Sequence, residues 1–99
     1  MSEEDKKFAI LQTELQALRL MVQEAMAIAL SHEANPDRSA SFARQDLSAI
    51  IAKTKEAAKD GPNAEFRLWF AERVGKSVAD QMDAVEKRVS TLTQNRTQH

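Results

Sequence analysis

Histidines and cysteines would be the usual ligands of a metal site, and this chain offers few of them. The segment HEANP at residues 32–36 lacks the second histidine of an HExxH zinc motif, and His99 is the only other histidine. Near the end of a predicted helix, a cationic His32 has an ordinary role against the helix dipole. The chain has no cysteine, which excludes thiolate chemistry and fits a reducing compartment. We therefore expect no metal and no cofactor.

Carboxylates are numerous, but their surroundings do not indicate catalysis. Glu14 and Glu24 interrupt an otherwise apolar arc of the first predicted helix, either as rim charges of an interface or as buried carboxylates with a raised pKa. Others stand at helical ion-pair spacing from lysines, as Glu72 does from Lys76, which is typical of a solvated face. Two glycines in all leave no glycine-rich phosphate loop. We expect that the chain is not an enzyme.

The elements that would position any site are predicted to be helices. Gly and Pro occur twice each in 99 residues and Tyr is absent, which favours long helices over a sheet. The pattern predicts an all-α fold of three helices at about 4–32, 41–59 and 64–92, in a bundle or hairpin with coiled-coil character. We expect a single domain, 1–99, with a polar tail at 93–99 that frays.

The ends of these helices have recognisable signals. Ser2 is a suitable N-cap for the first helix. Ser39 or Ser41 is the expected cap of the second helix after a polar connection at 37–40, and Asn35–Pro36 is an alternative start. The second helix should end at about residue 59, because the segment KDGP that follows supplies a glycine suited to the left-handed conformation and then a proline.

The first helix carries apolar residues on two sides. One stripe has heptad spacing and consists of Phe8, Leu11, Leu15, Leu18, Val22, Ala25 and Ala29. Its large members, with Met26 and Leu30, are expected to pack against the other two helices. A second stripe lies nearly opposite and consists of Ile10, Ala17, Met21 and Ile28, with Leu20 beside it. This predicts a homodimer with the first helix at the interface, unless that helix lies centrally in a flat stack or the second stripe is ordinary surface.

The third helix contains the segment EFRLWF at residues 65–70. Phe66 and Phe70 begin a stripe that continues through Val74, Val78, Met82, Val85, Val89 and Leu92, which predicts that both phenylalanines lie in the core. Trp69 and Leu68 lie off that stripe, where they either anchor a partner or pack locally against the start of the helix. Gly75 would permit the close approach of another helix or mark a bend.

These patterns favour a binding function over a catalytic one. We expect a helical protein–protein interaction module (an adaptor, a chaperone-like subunit or a small inhibitor) that is homodimeric and cytoplasmic and binds an unidentified protein partner. The candidate partner-binding residues are Trp69, Leu68, Ile10, Met21 and Ile28. The alternative is a small DNA-binding regulator whose basic face forms on dimerisation, although a net charge of −1 makes nucleic acid an unlikely partner. No apolar run is long enough to predict a membrane span.

Overall fold

Three helices make up most of the chain. The computed structural model describes residues 1–97, which fold into α1 (Glu3–Ser31), α2 (Pro36–Ala58) and α3 (Ala64–Thr97), with no strand in that range. The predicted all-α fold of three helices is therefore confirmed. The predicted coiled-coil character remains a prediction.

The first helix begins where the sequence predicts. Ser2 is its N-cap: the Ser2 side chain accepts a hydrogen bond from the backbone N–H of Asp5, and the Asp5 carboxylate accepts one from the backbone N–H of Ser2. This capping box satisfies two donors that a helix start otherwise leaves unpaired.

The second helix begins earlier than the preferred prediction, which placed a polar connection at 37–40 and the cap at Ser39 or Ser41. The Asn35 side chain accepts a hydrogen bond from the backbone N–H of Arg38, and Pro36 occupies the first turn. Proline is well suited to that position because its fixed φ is helical and its missing N–H is not needed there. The alternative start at Asn35–Pro36 is therefore the correct one.

The third helix extends beyond residue 92, where its predicted end lies, and reaches Thr97; the expectation that the tail at 93–99 frays stays a prediction. The Arg96 guanidinium donates a hydrogen bond of 2.6 Å to the carbonyl of Ser31 and lies 2.9 Å from Nε2 of His32. These contacts join the last turn of α3 to the end of α1, which gives that turn a tertiary anchor. Residues 98 and 99 lie outside the described residues.

The helices form a single layer with α3 in the centre. α1 runs parallel to α3, because Glu24 pairs with Arg88 and the end of α1 meets Arg96. α2 runs antiparallel to α3 and hardly touches α1. The molecule measures 54 × 40 × 14 Å, and its smallest dimension is close to the diameter of one helix. Its radius of gyration is 17.2 Å, whereas a compact domain of this length has about 13 Å.

The buried core is small and built largely from alanine. Its apolar members among residues 1–96 are Ala27, Ala40, Ala58, Ala71, Met82, Val85 and Val89. Small side chains let the helix axes approach each other closely. Gly75, which has no side chain, lies at one such close approach. A Cβ atom built on Gly75 would lie 2.9 Å from Cγ2 of Ile51 on α2. Gly75 therefore marks a close approach of two helices, as the first of its two interpretations predicts.

Candidate interaction surfaces

The heptad stripe of α1 lies on the outside of the chain. We call it the α1 seam, and it consists of Phe8, Leu11, Leu15, Leu18, Val22, Ala25 and Ala29, all of which are exposed. The contact with α3 is made instead by the neighbouring positions Ala27, Met26 and Leu30, which pack against Val85 and Val89. The expectation that the large residues of the seam pack within the chain is therefore wrong. Of the residues expected to pack there, only Met26 and Leu30, which lie outside the seam, do so.

A polar groove separates the middle of α1 from α3. It measures about 470 Å³ and lies between α1 and α3. Its lining is polar throughout: Gln16, Arg19 and Gln23 from α1 and Arg73, Lys76, Ser77, Asp80 and Gln81 from α3. Long polar side chains favour contact with water over contact with each other, so the two helices do not close here as they do around Ala27.

An apolar groove opens on the side of α1 that carries the seam. It measures about 280 Å³ and is formed by all three helices. Its apolar lining consists of Val22, Met26, Leu47, Val78, Met82 and Val85. Val22 belongs both to this groove and to the α1 seam, so the exposed seam and the edge of the core form one continuous apolar surface.

The second stripe of α1 is also exposed. Ile10, Met21 and Ile28 are all accessible, as is Leu20 beside them. Nothing in residues 1–97 covers these side chains, so α1 presents apolar residues to solvent on two sides. That arrangement leaves both stripes available to another chain.

Trp69, for which the sequence leaves partner anchoring and local packing both open, has 55% of its area exposed. Its ring is 5.9 Å from that of Phe66, and the guanidinium of Arg73 lies 5.9 Å from its centre. Leu68 is half-buried. These two residues are near the start of α3, whereas Ile28 is near the end of α1 and beside the end of α3. The five candidate residues therefore do not form one patch.

The prediction that Phe66 and Phe70 lie in the core is wrong. Both were expected in the core, and they are 63% and 56% exposed. Their stripe is buried only from Met82 onward, where α1 lies against α3. At the start of α3 the chain provides α2 alone, and α2 meets that end through Ala58 and Ala71, which are both buried.

Ion pairs join both outer helices to α3. Arg44 of α2 donates hydrogen bonds of 2.8 Å to Glu86 and 2.6 Å to Asp83, and both carboxylates raise the pKa of its guanidinium. On the other side, Arg88 donates to both carboxylate oxygens of Glu24, with the shortest distance 2.9 Å. These hydrogen bonds lower the pKa of the Glu24 carboxyl, against an opposing effect of desolvation.

The ionisable groups do not converge on a site for chemistry. No group of three or more His, Asp or Glu side chains that could hold a metal ion occurs within residues 1–97. Glu24, which the sequence leaves as either a rim charge or a buried carboxylate with raised pKa, is a partly exposed ion-pair partner whose pKa is lowered. No helix in the described part of the chain is both long and apolar enough to cross a membrane.

Comparisons of the chain with protein-family models, with curated proteins and with solved structures found no match. Functional inference therefore depends on the surfaces themselves. The sequence singled out the second stripe of α1 and Trp69 as candidate interaction residues. It did not predict the exposure of the α1 seam. The available signal was the polar residues Gln16, Arg19 and Gln23, which lie on the adjacent arc of the helix and face α3.

Proposed function

We propose that this chain is a non-enzymatic, helical protein–protein interaction module that works as a homodimer in the cytoplasm. The observation that supports this proposal most strongly is the accessible surface area of the chain. The chain exposes 7698 Å², whereas a folded monomer of 11.1 kDa is expected to expose about 5,700 Å². The excess is about 2,000 Å², and a stable interface of standard size buries only about 800 Å² per partner. One chain therefore has room for a second copy and a further partner.

The chemistry of the exposed surface supports binding to protein. Large apolar side chains are exposed along α1 and at the start of α3. Exposed apolar patches mark interaction sites in soluble proteins. The five large residues of the α1 seam alone, each about half exposed, would contribute about 4–7 kcal/mol per chain if covered. That is comparable with the whole net stability of a small domain, about 5–15 kcal/mol.

The partner would dock on the surfaces that the sequence singled out. Trp69 and Leu68 at the start of α3 form one such surface, and Ile10, Met21 and Ile28 on α1 form the other. An exposed tryptophan beside an arginine is a common anchor of protein interfaces. A module that binds through helix faces suits an adaptor, a chaperone-like subunit or an inhibitor that occludes another protein.

Light scattering after size exclusion tests the homodimer. We expect a mass of twice 11.1 kDa that falls toward 11.1 kDa only at high dilution. A mass of 11.1 kDa at every concentration would refute the dimer and with it the explanation of the excess surface.

A pull-down from the native host tests the partner surface. Trp69→Ala should lose the proteins that the natural chain retains, because it removes the proposed anchor. Phe42→Ala is the matched control, since Phe42 is an aromatic residue of similar exposure on α2, at 52%. Equal recovery by both variants would argue against Trp69 as the anchor.

The DNA-binding alternative remains a separate prediction. Arg44 and Arg88 are both paired with carboxylates, which reduces the positive field they could offer to a phosphate backbone. Binding to duplex DNA that weakens steeply as salt rises would favour that alternative.

A further inference from the structure

The α1 seam has a graded outline. Its N-terminal part carries large side chains from Phe8 to Val22, and its C-terminal part carries only the small side chains Ala25 and Ala29. All of these positions are exposed, so the grading belongs to a surface and not to the core.

We propose that the α1 seam binds the same seam of a second copy, with the two α1 helices antiparallel and a two-fold axis between Leu15 and Leu18. The inference rests on the homodimer proposed above and adds which surface forms it and in which orientation. A two-fold interface uses the same patch on both copies, so a self-complementary seam is what it requires.

Side-chain size favours the antiparallel orientation. In an antiparallel coiled coil each a position of one helix faces a d position of the other. Phe8 therefore lies opposite Ala25 of the second copy, and Leu11 lies opposite its Val22. The largest residue of the seam then faces its small Ala25, Leu11 faces the slightly smaller Val22, and the helices keep a more even separation along the seam. A parallel pair would instead set Phe8 against Phe8 and Ala25 against Ala25, which crowds one end and leaves gaps at the other.

Charge favours the same orientation. The first turn of α1 carries Glu3, Glu4 and Asp5. In a parallel pair these carboxylates would lie beside their copies and repel one another. In the antiparallel pair the two acidic turns are separated by about 38 Å along the axis, which is several times the Debye length at physiological salt.

The dimer supplies what the single chain lacks. Every residue in the N-terminal half of α1 is exposed, and a helix without tertiary packing is marginally stable in water. Pairing through the seam would support that half of the helix. The second stripe, on the other side of α1, would remain exposed and available to a different protein.

A matched pair of substitutions tests which side of α1 forms the dimer. Leu18 belongs to the seam and Leu20 does not, yet both are leucines of the same helix with 57% of their area exposed. Leu18→Asp should raise the dimer dissociation constant at least 100-fold in analytical ultracentrifugation, and Leu20→Asp should change it less than threefold. The opposite ranking would overturn the proposal. Helicity by circular dichroism checks that both variants fold.

Cross-linking tests the orientation, and the absence of native cysteine keeps the readout clean. Chains with Phe8→Cys and Ala25→Cys are oxidised separately and as a mixture. The antiparallel pair predicts a cross-linked dimer in the mixture only. Cross-links in each variant alone would indicate a parallel pair and overturn the proposal. A dimeric mass without any cross-link would overturn the seam but keep the homodimer, whereas a monomeric mass in the natural chain would overturn both.

Discussion

Replacing Gly75 by alanine sets two effects of opposite sign against each other. Alanine is more favourable than glycine inside a helix by about 1 kcal/mol. Its Cβ atom, however, would lie 2.9 Å from Cγ2 of Ile51, which is closer than such atoms approach in folded proteins. Overpacking of this kind costs about 1–3 kcal/mol. We therefore expect Gly75→Ala to lower the free energy of unfolding by about 0–2 kcal/mol, with each kcal/mol lowering the Tm by about 4–8 °C.

The sign of the effect should reverse when Ile51 is truncated. Ile51→Ala removes the Cγ2 atom, so alanine at position 75 keeps only its helical advantage and should raise stability by about 1 kcal/mol in that background. The double-mutant cycle therefore predicts a coupling energy of about 1–3 kcal/mol between the two positions. Urea unfolding followed by circular dichroism measures all four chains. They are compared at one protein concentration because a dimer's stability depends on concentration.

A control in the same helix calibrates the helical term. Ala84 is exposed on α3, and Ala84→Gly should cost about 1 kcal/mol without any packing change. If Gly75→Ala stabilised the natural chain as much as it stabilised the Ile51→Ala chain, the close approach of α2 to α3 would be refuted.

Three further outcomes follow from burial, charge and backbone geometry. Trp69→Ala should leave the helicity unchanged and lower the Tm by less than about 8 °C. Met82→Ala truncates a residue that is only 2% exposed, so it should lower the free energy of unfolding by about 2–5 kcal/mol in thermal unfolding. Arg88 lowers the pKa of Glu24 below the ordinary carboxyl pKa of 4.5. The stability that this ion pair contributes is therefore complete above pH 4.5, and it is lost as the pH falls through the lower pKa of the folded state. Urea unfolding from pH 7 to 3 should therefore show the difference between the natural chain and Glu24→Gln shrinking below pH 4.5, and a constant difference would contradict this. Gly61 has a φ of +96°, so Gly61→Ala should cost about 1–2 kcal/mol in the same assay, and no loss would contradict the left-handed backbone.

Local signals in the sequence were sufficient for the helices themselves. Ser2 and its capping box, Gly61 before Pro62 and the lack of other breakers act within a few residues, so the number and type of elements could be predicted. The start of α2 was misplaced because serines at 39 and 41 compete with Asn35 as caps. Pro36 decides between them, since it fits the first turn of a helix that starts at Asn35.

The environment of the apolar stripes could not be predicted in the same way. Periodicity shows that one side of a helix avoids water, but it does not show what covers that side. Phe66 and Phe70 continue the stripe of Val85 and Val89, yet only the two valines are buried, because α1 lies against α3 at one end alone. That difference depends on where α1 packs against α3, through residues that are far apart in the chain.

The α1 seam is a second case in which periodicity does not show what covers an apolar stripe. Its heptad spacing predicts packing within the chain, whereas the structure leaves its large residues exposed. Protein domains usually bury their helices between two or more layers, and this chain has one layer, 14 Å thick, with its longest apolar stripe facing outward. Two such layers joined through their α1 seams would have the two-layer packing that a single chain lacks. The heptad pattern would then describe a real buried interface, located between chains instead of within one.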